Sequence, residues 1–174
     1  APDRFTRLIG LSVPPGKALI QNLSRDLTGQ LQRSWYIFFF QLRWLADQRL
    51  AWNDYALVER LWRDWSPGFT PPEERLAEVK ATLATSGTAR AALGYYRAAF
   101  SIRRLRAQRP LFTARMSVPG LVIGGECDGC IGVELYRNAE ACFRKDAKLV
   151  ILPNAGHFLP LEAPDRIAEL VLDA

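Results

Sequence analysis

Apolar positions along this chain follow two different rhythms, and the rhythm changes twice. Residues 5–13 (FTRLIGLSV) form a short apolar run closed by Pro14-Pro15-Gly16, the pattern of a buried strand and a turn. From Lys17 to Arg109 no strand-like run occurs. Helical patterns take over, punctuated by Ser66-Pro67-Gly68 and Thr70-Pro71-Pro72. Glu73 and Glu74 stand just inside a helix start, where the helix dipole favours acids. Trp35, Phe38, Phe39, Leu42, Trp62 and Trp65 make a stripe that reads as helix core before it reads as a ligand box. Alternation then returns. Residues 118–125 (VPGLVIGG) predict a strand, residues 131–145 a helix, residues 148–152 (KLVIL) another strand, and residues 164–172 a closing helix with Asp165 in its first turn. Short β-branched runs joined by helices imply a parallel sheet. The expected class is α/β, with about three parallel strands and a long helical insertion after the first. No internal repeat or low-complexity tract interrupts this pattern.

Composition narrows the class. At 174 residues, 49% hydrophobic and 24% charged, the chain can bury one ordinary core and is not of disordered type. No apolar run is long enough to cross a bilayer; the greasiest stretch, residues 35–45, is interrupted by Gln41 and Arg43. The N-terminus lacks a signal pattern, so a cytoplasmic location and no membrane partner are expected. The first residue is not Met and the single Met is Met116, so either trimming of an initiator or an upstream segment is compatible with the sequence. The formal charge of +5 owes much to Arg103, Arg104, Arg106, Arg109 and Arg115. Without an aromatic-interleaved basic groove, these read as a solvated helix face and not as a nucleic-acid surface. Three cysteines, an odd number, argue against a disulfide framework and fit a reducing compartment. Cys127 and Cys130 form a C-x-x-C, but one histidine in the whole chain makes a zinc site unexpected; a redox pair is the lesser alternative.

Two loops carry candidate chemistry. Pro153-Asn154-Ala155-Gly156-His157 puts the only histidine on a glycine-containing loop directly after a strand and before the last helix. Gly124-Gly125-Glu126-Cys127-Asp128 puts a carboxylate just past the preceding strand. A lone histidine is more often structural, and an aspartate there is more often a turn residue. At the carboxyl edge of a parallel sheet, however, the two can meet, the carboxylate orienting the imidazole.

Together these loops resemble the α/β-hydrolase family, in particular its epoxide hydrolase branch, over essentially the whole chain. The resemblance assigns the triad acid to Asp128, in Gly125-Glu126-Cys127-Asp128, and the triad base to His157, in Ala155-Gly156-His157. It makes the opening Ala1-Pro2-Asp3-Arg4-Phe5 the segment that follows the nucleophile helix. It divides the chain into a core strand (1–16), a helical cap (17–115) and the C-terminal part of the core (116–174). Ser34-Trp35-Tyr36 and Tyr95-Tyr96-Arg97 resemble the two cap segments whose tyrosines polarise an epoxide oxygen, making Tyr36 and Tyr96 substrate-binding residues. Two phenols near their ordinary pKa are suited to donate to a forming alkoxide; taken singly, either tyrosine could equally be a core aromatic. Arg43 stands where relatives commonly have proline.

The resemblance implies an apolar small-molecule substrate, hydrolysis through a covalent ester, and no metal or cofactor. The family's aspartate nucleophile and oxyanion loop would lie upstream of Ala1, so these residues alone are expected to be inactive. Two internal substitutes exist. Gly10-Leu11-Ser12-Val13-Pro14 mimics a serine elbow, but paired prolines oppose the immediate helix that an elbow needs. Gly125-Glu126-Cys127-Asp128-Gly129 is a true G-x-C-x-G, which makes Cys127 a minor candidate nucleophile. The non-catalytic alternative is a self-associating module: residues 5–13 would leave a strand edge unpaired, inviting a homo-oligomer there.

Overall fold

The computed structural model describes residues 2–174; Ala1, first residue of the opening segment discussed above, lies outside the described residues. Three strands, β1 (Leu8–Leu11), β2 (Gly120–Gly125) and β3 (Ala147–Leu152), form one sheet in the order β1-β2-β3, and both pairings are parallel. Between β1 and β2 run seven helices: α1 (Gly16–Asn22), α2 (Leu27–Arg33), α3 (Trp35–Phe39), α4 (Arg43–Trp65), α5 (Glu73–Ala84), α6 (Thr88–Ala99) and α7 (Ile102–Thr113). After β3 come a short α8 (Leu159–Glu162) and α9 (Pro164–Leu172). No helix of the described residues is long and apolar enough to cross a membrane.

Side-chain alternation along β2 explains the layering. Leu121 and Ile123 point into a cluster with Leu159, Ile167 and Leu170 of the closing helices, while Val122 points the other way, toward Ala18, Tyr136, Cys142 and Phe143. Every residue of β2 is buried. The helical insertion has its own core, built from Tyr36, Phe40, Ala46, Leu50, Leu57, Val58, Leu61 and Leu93, and Cys130 from the sheet side belongs to it. With Ile131, which packs against the same cluster, that cysteine joins the insertion to the loop after β2.

Three expectations change. Residues 5–13 do not form a buried strand: β1 has four residues, Leu8 and Ile9 are 39% and 37% exposed, and Phe5 and Val13 more so. The cause is position, because β1 pairs with β2 on one side only and has no strand on its other side among the described residues. Residues 131–145 form no α-helix but two 3-10 turns, Val133–Tyr136 and Ala139–Cys142, separated by Asn138 in the left-handed region at φ 56°. The helix-like spacing of Leu135, Tyr136, Ala139, Cys142 and Phe143 reported their burial correctly, not their backbone. In the aromatic stripe, Phe38 and Leu42 are exposed, whereas Tyr36 and Phe40, one face round the same segment, are buried. The arginine-rich α7 has no buried residue, as a solvated face requires.

Candidate active site

Parallel strands deliver their following loops to one edge, and here three converge. Ser12 follows β1, Asp128 follows β2 and His157 follows β3. Asp128 Oδ2 lies 2.9 Å from His157 Nδ1. The other carboxylate oxygen, Oδ1, accepts from the backbone N–H groups of Cys130 at 2.7 Å and Ile131 at 2.8 Å. The carboxylate is fully buried and the imidazole 20% exposed, so the acid sits beneath the ring and the ring faces outward. Burial alone would disfavour a charged imidazole. The adjoining Asp128 carboxylate and Cys130 sulfur outweigh it and hold the His157 pKa up to about 10 from 6.5.

The histidine loop is held by residues that sequence reading passed over. Ser66, fully buried at the end of α4, accepts the His157 backbone N–H on its Oγ at 2.9 Å and donates to Glu162 Oε1 at 2.8 Å. Glu162 also accepts from Gly156 N at 2.6 Å and Phe158 N at 2.8 Å, so one carboxylate caps two amides of the loop. Gly156 must be glycine, since a Cβ there would stand 2.7 Å from both Cα and Oγ of Ser66. The backbone carbonyl of Trp65 accepts from Gly129 N at 3.0 Å and His157 N at 3.2 Å, stitching the acid loop, the histidine loop and α4 together. In sequence, Ser66-Pro67-Gly68 looked like punctuation; nothing local marks it as a clamp.

Ser12 shows a similar division of labour. Its φ is 56°, the left-handed backbone expected of an elbow, and α1 begins at Gly16 despite the two prolines, because Pro15 serves as its N-cap. Its hydroxyl nevertheless donates to the His157 carbonyl at 2.6 Å, which commits it to holding the loop.

Tyr36 and Tyr96 come together from α3 and α6, their ring centroids 5.6 Å apart and edge to face. Tyr36 packs on Trp65 at 5.0 Å, and Trp65 packs on the His157 ring at 5.6 Å. The expectation of near-ordinary phenols is corrected. Burial, reinforced in both cases by the neighbouring Cys130, pushes both phenols up, so both stay protonated donors across the neutral range. The Trp65 indole N–H is buried without an acceptor among the described residues.

Of the cysteines, all free, Cys127 is exposed and Cys130 buried. It is Cys130, not Cys127, that joins Asp128 and His157 in a cluster whose ligating atoms lie within 4.8 Å of one another. Cysteine, histidine and aspartate each offer an atom that can ligate a metal. Both Asp128 oxygens are already engaged, however, by two amides and the imidazole, which suits the carboxylate to orienting the ring.

A short parallel sheet whose carboxyl edge joins an aspartate to a histidine beneath a helical insertion defines an α/β-hydrolase. The chain belongs to that family: residues 9–170 match the model described as "Alpha/beta hydrolase family". It is similar to epoxide hydrolase 3 of Mus musculus (28% identical over 172 residues, 95% of this chain and 44% of that protein). It is also similar to epoxide hydrolase 4 of Homo sapiens (25% identical, 98% of this chain and 46% of that protein). The chain thus spans less than half the length of these curated relatives. Among solved structures, it matches a mutant epoxide hydrolase from Bacillus megaterium with TM-score 0.76 at 19% identity, covering 99% of this chain and 61% of that one. Epoxide Hydrolase A from Mycobacterium thermoresistibile gives TM-score 0.73 at 22% identity, with 99% and 62% covered. These two likenesses establish the fold. The protein is an epoxide hydrolase-like α/β-hydrolase chain, short against its relatives.

Proposed function

We propose that this chain supplies the acid–histidine pair and the phenols of an epoxide-opening hydrolase, and that the nucleophilic carboxylate comes from residues outside it. The observation that carries this reading is the 2.9 Å contact of Asp128 with His157 beside the packed Tyr36–Tyr96 pair. Under this reading residues 1–16 and 116–174 belong to the core and 17–115 form a cap over it.

In the first step a carboxylate oxygen attacks a ring carbon; the new C–O ester bond forms as the epoxide C–O bond breaks, and a phenol protonates the departing oxygen. In the second, neutral His157 takes a proton from water as the water attacks the ester carbonyl, and Asp128 stabilises the imidazolium that results. Because the imidazole pKa is held up to about 10, the fraction able to act as a base grows through the neutral range. The apolar packing of Trp65, Phe40 and Trp35 around Tyr36 suits an apolar epoxide, with a haloalkane or ester as close variants.

Joining the chain to a nucleophile-bearing segment, in one polypeptide or by co-expression, tests the reading by diol formation from styrene oxide. Turnover abolished by His157→Ala is the expected result. A completed, folded protein that turns over no epoxide, haloalkane or ester would sink it.

A second reading has its own observation. The exposed Leu8, Ile9, Phe5 and Val13 at the one-sided β1 edge suit self-association into a homo-oligomer, at about 25 cal/mol per Å² of apolar surface covered. A dilute sample that sediments as a folded monomer removes it.

A further inference from the structure

We propose that Cys130 is a nucleophile paired with His157, and that on this chain it captures a small epoxide permanently as a thioether. The substrate class rests on the epoxide-opening reading above; the thiol–imidazole pair does not.

Three groups needed for such a reaction are already assembled. The Cys130 sulfur, the His157 ring and the Asp128 carboxylate have their reactive atoms within 4.8 Å of one another. The same sulfur lies 3.3 Å from the Tyr36 hydroxyl. The sulfur therefore has an imidazole and a phenol among its polar neighbours. Cys130 is 6% exposed and lies beside the partly exposed His157 ring. Neither other cysteine has this setting. Cys127 is exposed and outside the cluster, and Cys142 is buried in a separate core cluster with Phe143 and Tyr136.

The chemistry balances without any further reactant. In the fraction with neutral His157, which grows as pH rises toward about 10, the thiol proton passes to the imidazole, and sulfur attacks the less hindered ring carbon. The S–C bond forms, the ring C–O bond breaks, and the oxygen takes the Tyr36 proton. The imidazolium then returns a proton to the phenolate, leaving a β-hydroxy thioether and no net proton change. An ester formed by a carboxylate has a carbonyl for water to attack; a thioether has none. The sulfur adduct therefore ends the sequence after one event, and the site behaves as a single-use trap.

The test uses the intact chain with styrene oxide and, separately, with iodoacetamide, followed by intact mass and peptide mapping. The expected result is one equivalent of epoxide on Cys130, with Cys130 taking iodoacetamide at least tenfold faster than Cys142, which is also buried. His157→Gln should slow both reactions at Cys130 by about 100-fold, the usual reach of a positioned acid–base group. Tyr36→Phe should slow the epoxide addition at least tenfold. Cys127→Ser should change nothing at Cys130. Modification confined to Cys127, or a Cys130 rate indifferent to His157→Gln, overturns the proposal. If His157→Gln does not fold, the wild-type comparison decides, and a Cys130 no faster than Cys142 overturns it. His157-dependent capture of iodoacetamide without capture of any epoxide leaves the pair standing and overturns the epoxide assignment.

Discussion

Replacing Asp128 by asparagine should move the titration of His157 by a large and readable amount. The carboxylate faces three donors: the amides of Cys130 and Ile131 on Oδ1, and the imidazole Nδ1 on Oδ2. An asparagine has one acceptor oxygen and one NH₂, so in either orientation the NH₂ confronts a donor. If the amide oxygen keeps the two backbone bonds, Nδ1 must lose its proton and accept instead. The counter-charge is lost as well, while burial, which opposes imidazolium, remains. Loss of an opposite charge at hydrogen-bonding distance moves a pKa by about 1–3 pH units, so His157 should fall from about 10 by about 2–3. Because His157 is the only histidine, its ring Hε1 resonance can be followed by proton NMR from acid to alkaline pH without assignment work.

Stability gives a second readout of the same substitution. A folded pKa of about 10 against 6.5 unfolded is a raised value. Its stabilisation is therefore complete below about 6.5 and disappears as pH climbs through 10. At about 1.4 kcal/mol per pH unit the full effect is on the order of 5 kcal/mol. Urea unfolding of the wild type should weaken steadily over that window, and Asp128→Asn should flatten the slope. A wild-type histidine that titrates near 6.5, or one that ignores the Asp128 change, refutes the reasoning.

Other outcomes follow from the loop clamp and the core. Ser66→Ala removes a buried hydroxyl, but His157 N retains the Trp65 carbonyl and Phe158 N retains Glu162, so the cost should stay near 1–2 kcal/mol, a drop of about 2–8 °C in Tm by calorimetry. Gly156→Ala drives a methyl into Ser66 and should cost about 1–3 kcal/mol while shifting the His157 resonance, which a surface glycine change would leave alone. Tyr136→Phe should be neutral or raise the Tm slightly, because the buried Tyr136 hydroxyl has no partner to lose among the described residues. In a completed hydrolase, the ester-hydrolysis step should quicken about tenfold per pH unit below about 10, since only neutral His157 can accept the water proton; a single-turnover rate flat from pH 6 to 9 would contradict this.

Much of the fold was legible because its signals are local. The strand runs ending at Gly125 and Leu152 and the closing helix at Pro164–Leu172 lie where alternation and punctuation put them. Asp128 and His157 were legible as a pair because parallel strands send their loops to one edge. What stayed hidden depends on distance along the chain. The clamp of Ser66 on residue 157 spans 91 positions and the tie of Ser12 to the same loop spans 145, and no period in the sequence records either. Cys130 was hidden for another reason: its C-x-x-C partner and its G-x-C-x-G neighbour both drew attention to Cys127, while burial chose the other sulfur. The helix expected over residues 131–145 failed because amphipathic spacing is equally satisfied by two tight turns that bury the same side chains.

The shared acceptor at the end of α4 limits how this molecule can breathe. Because one carbonyl, that of Trp65, receives amide protons from both loops, the last turn of that helix is anchored to the sheet and travels with it. Any swing of the remainder of the insertion relative to the sheet would pivot about a point farther back. The break in α4 at Trp52–Tyr55, where three successive residues adopt left-handed backbone, is where such a hinge would fall.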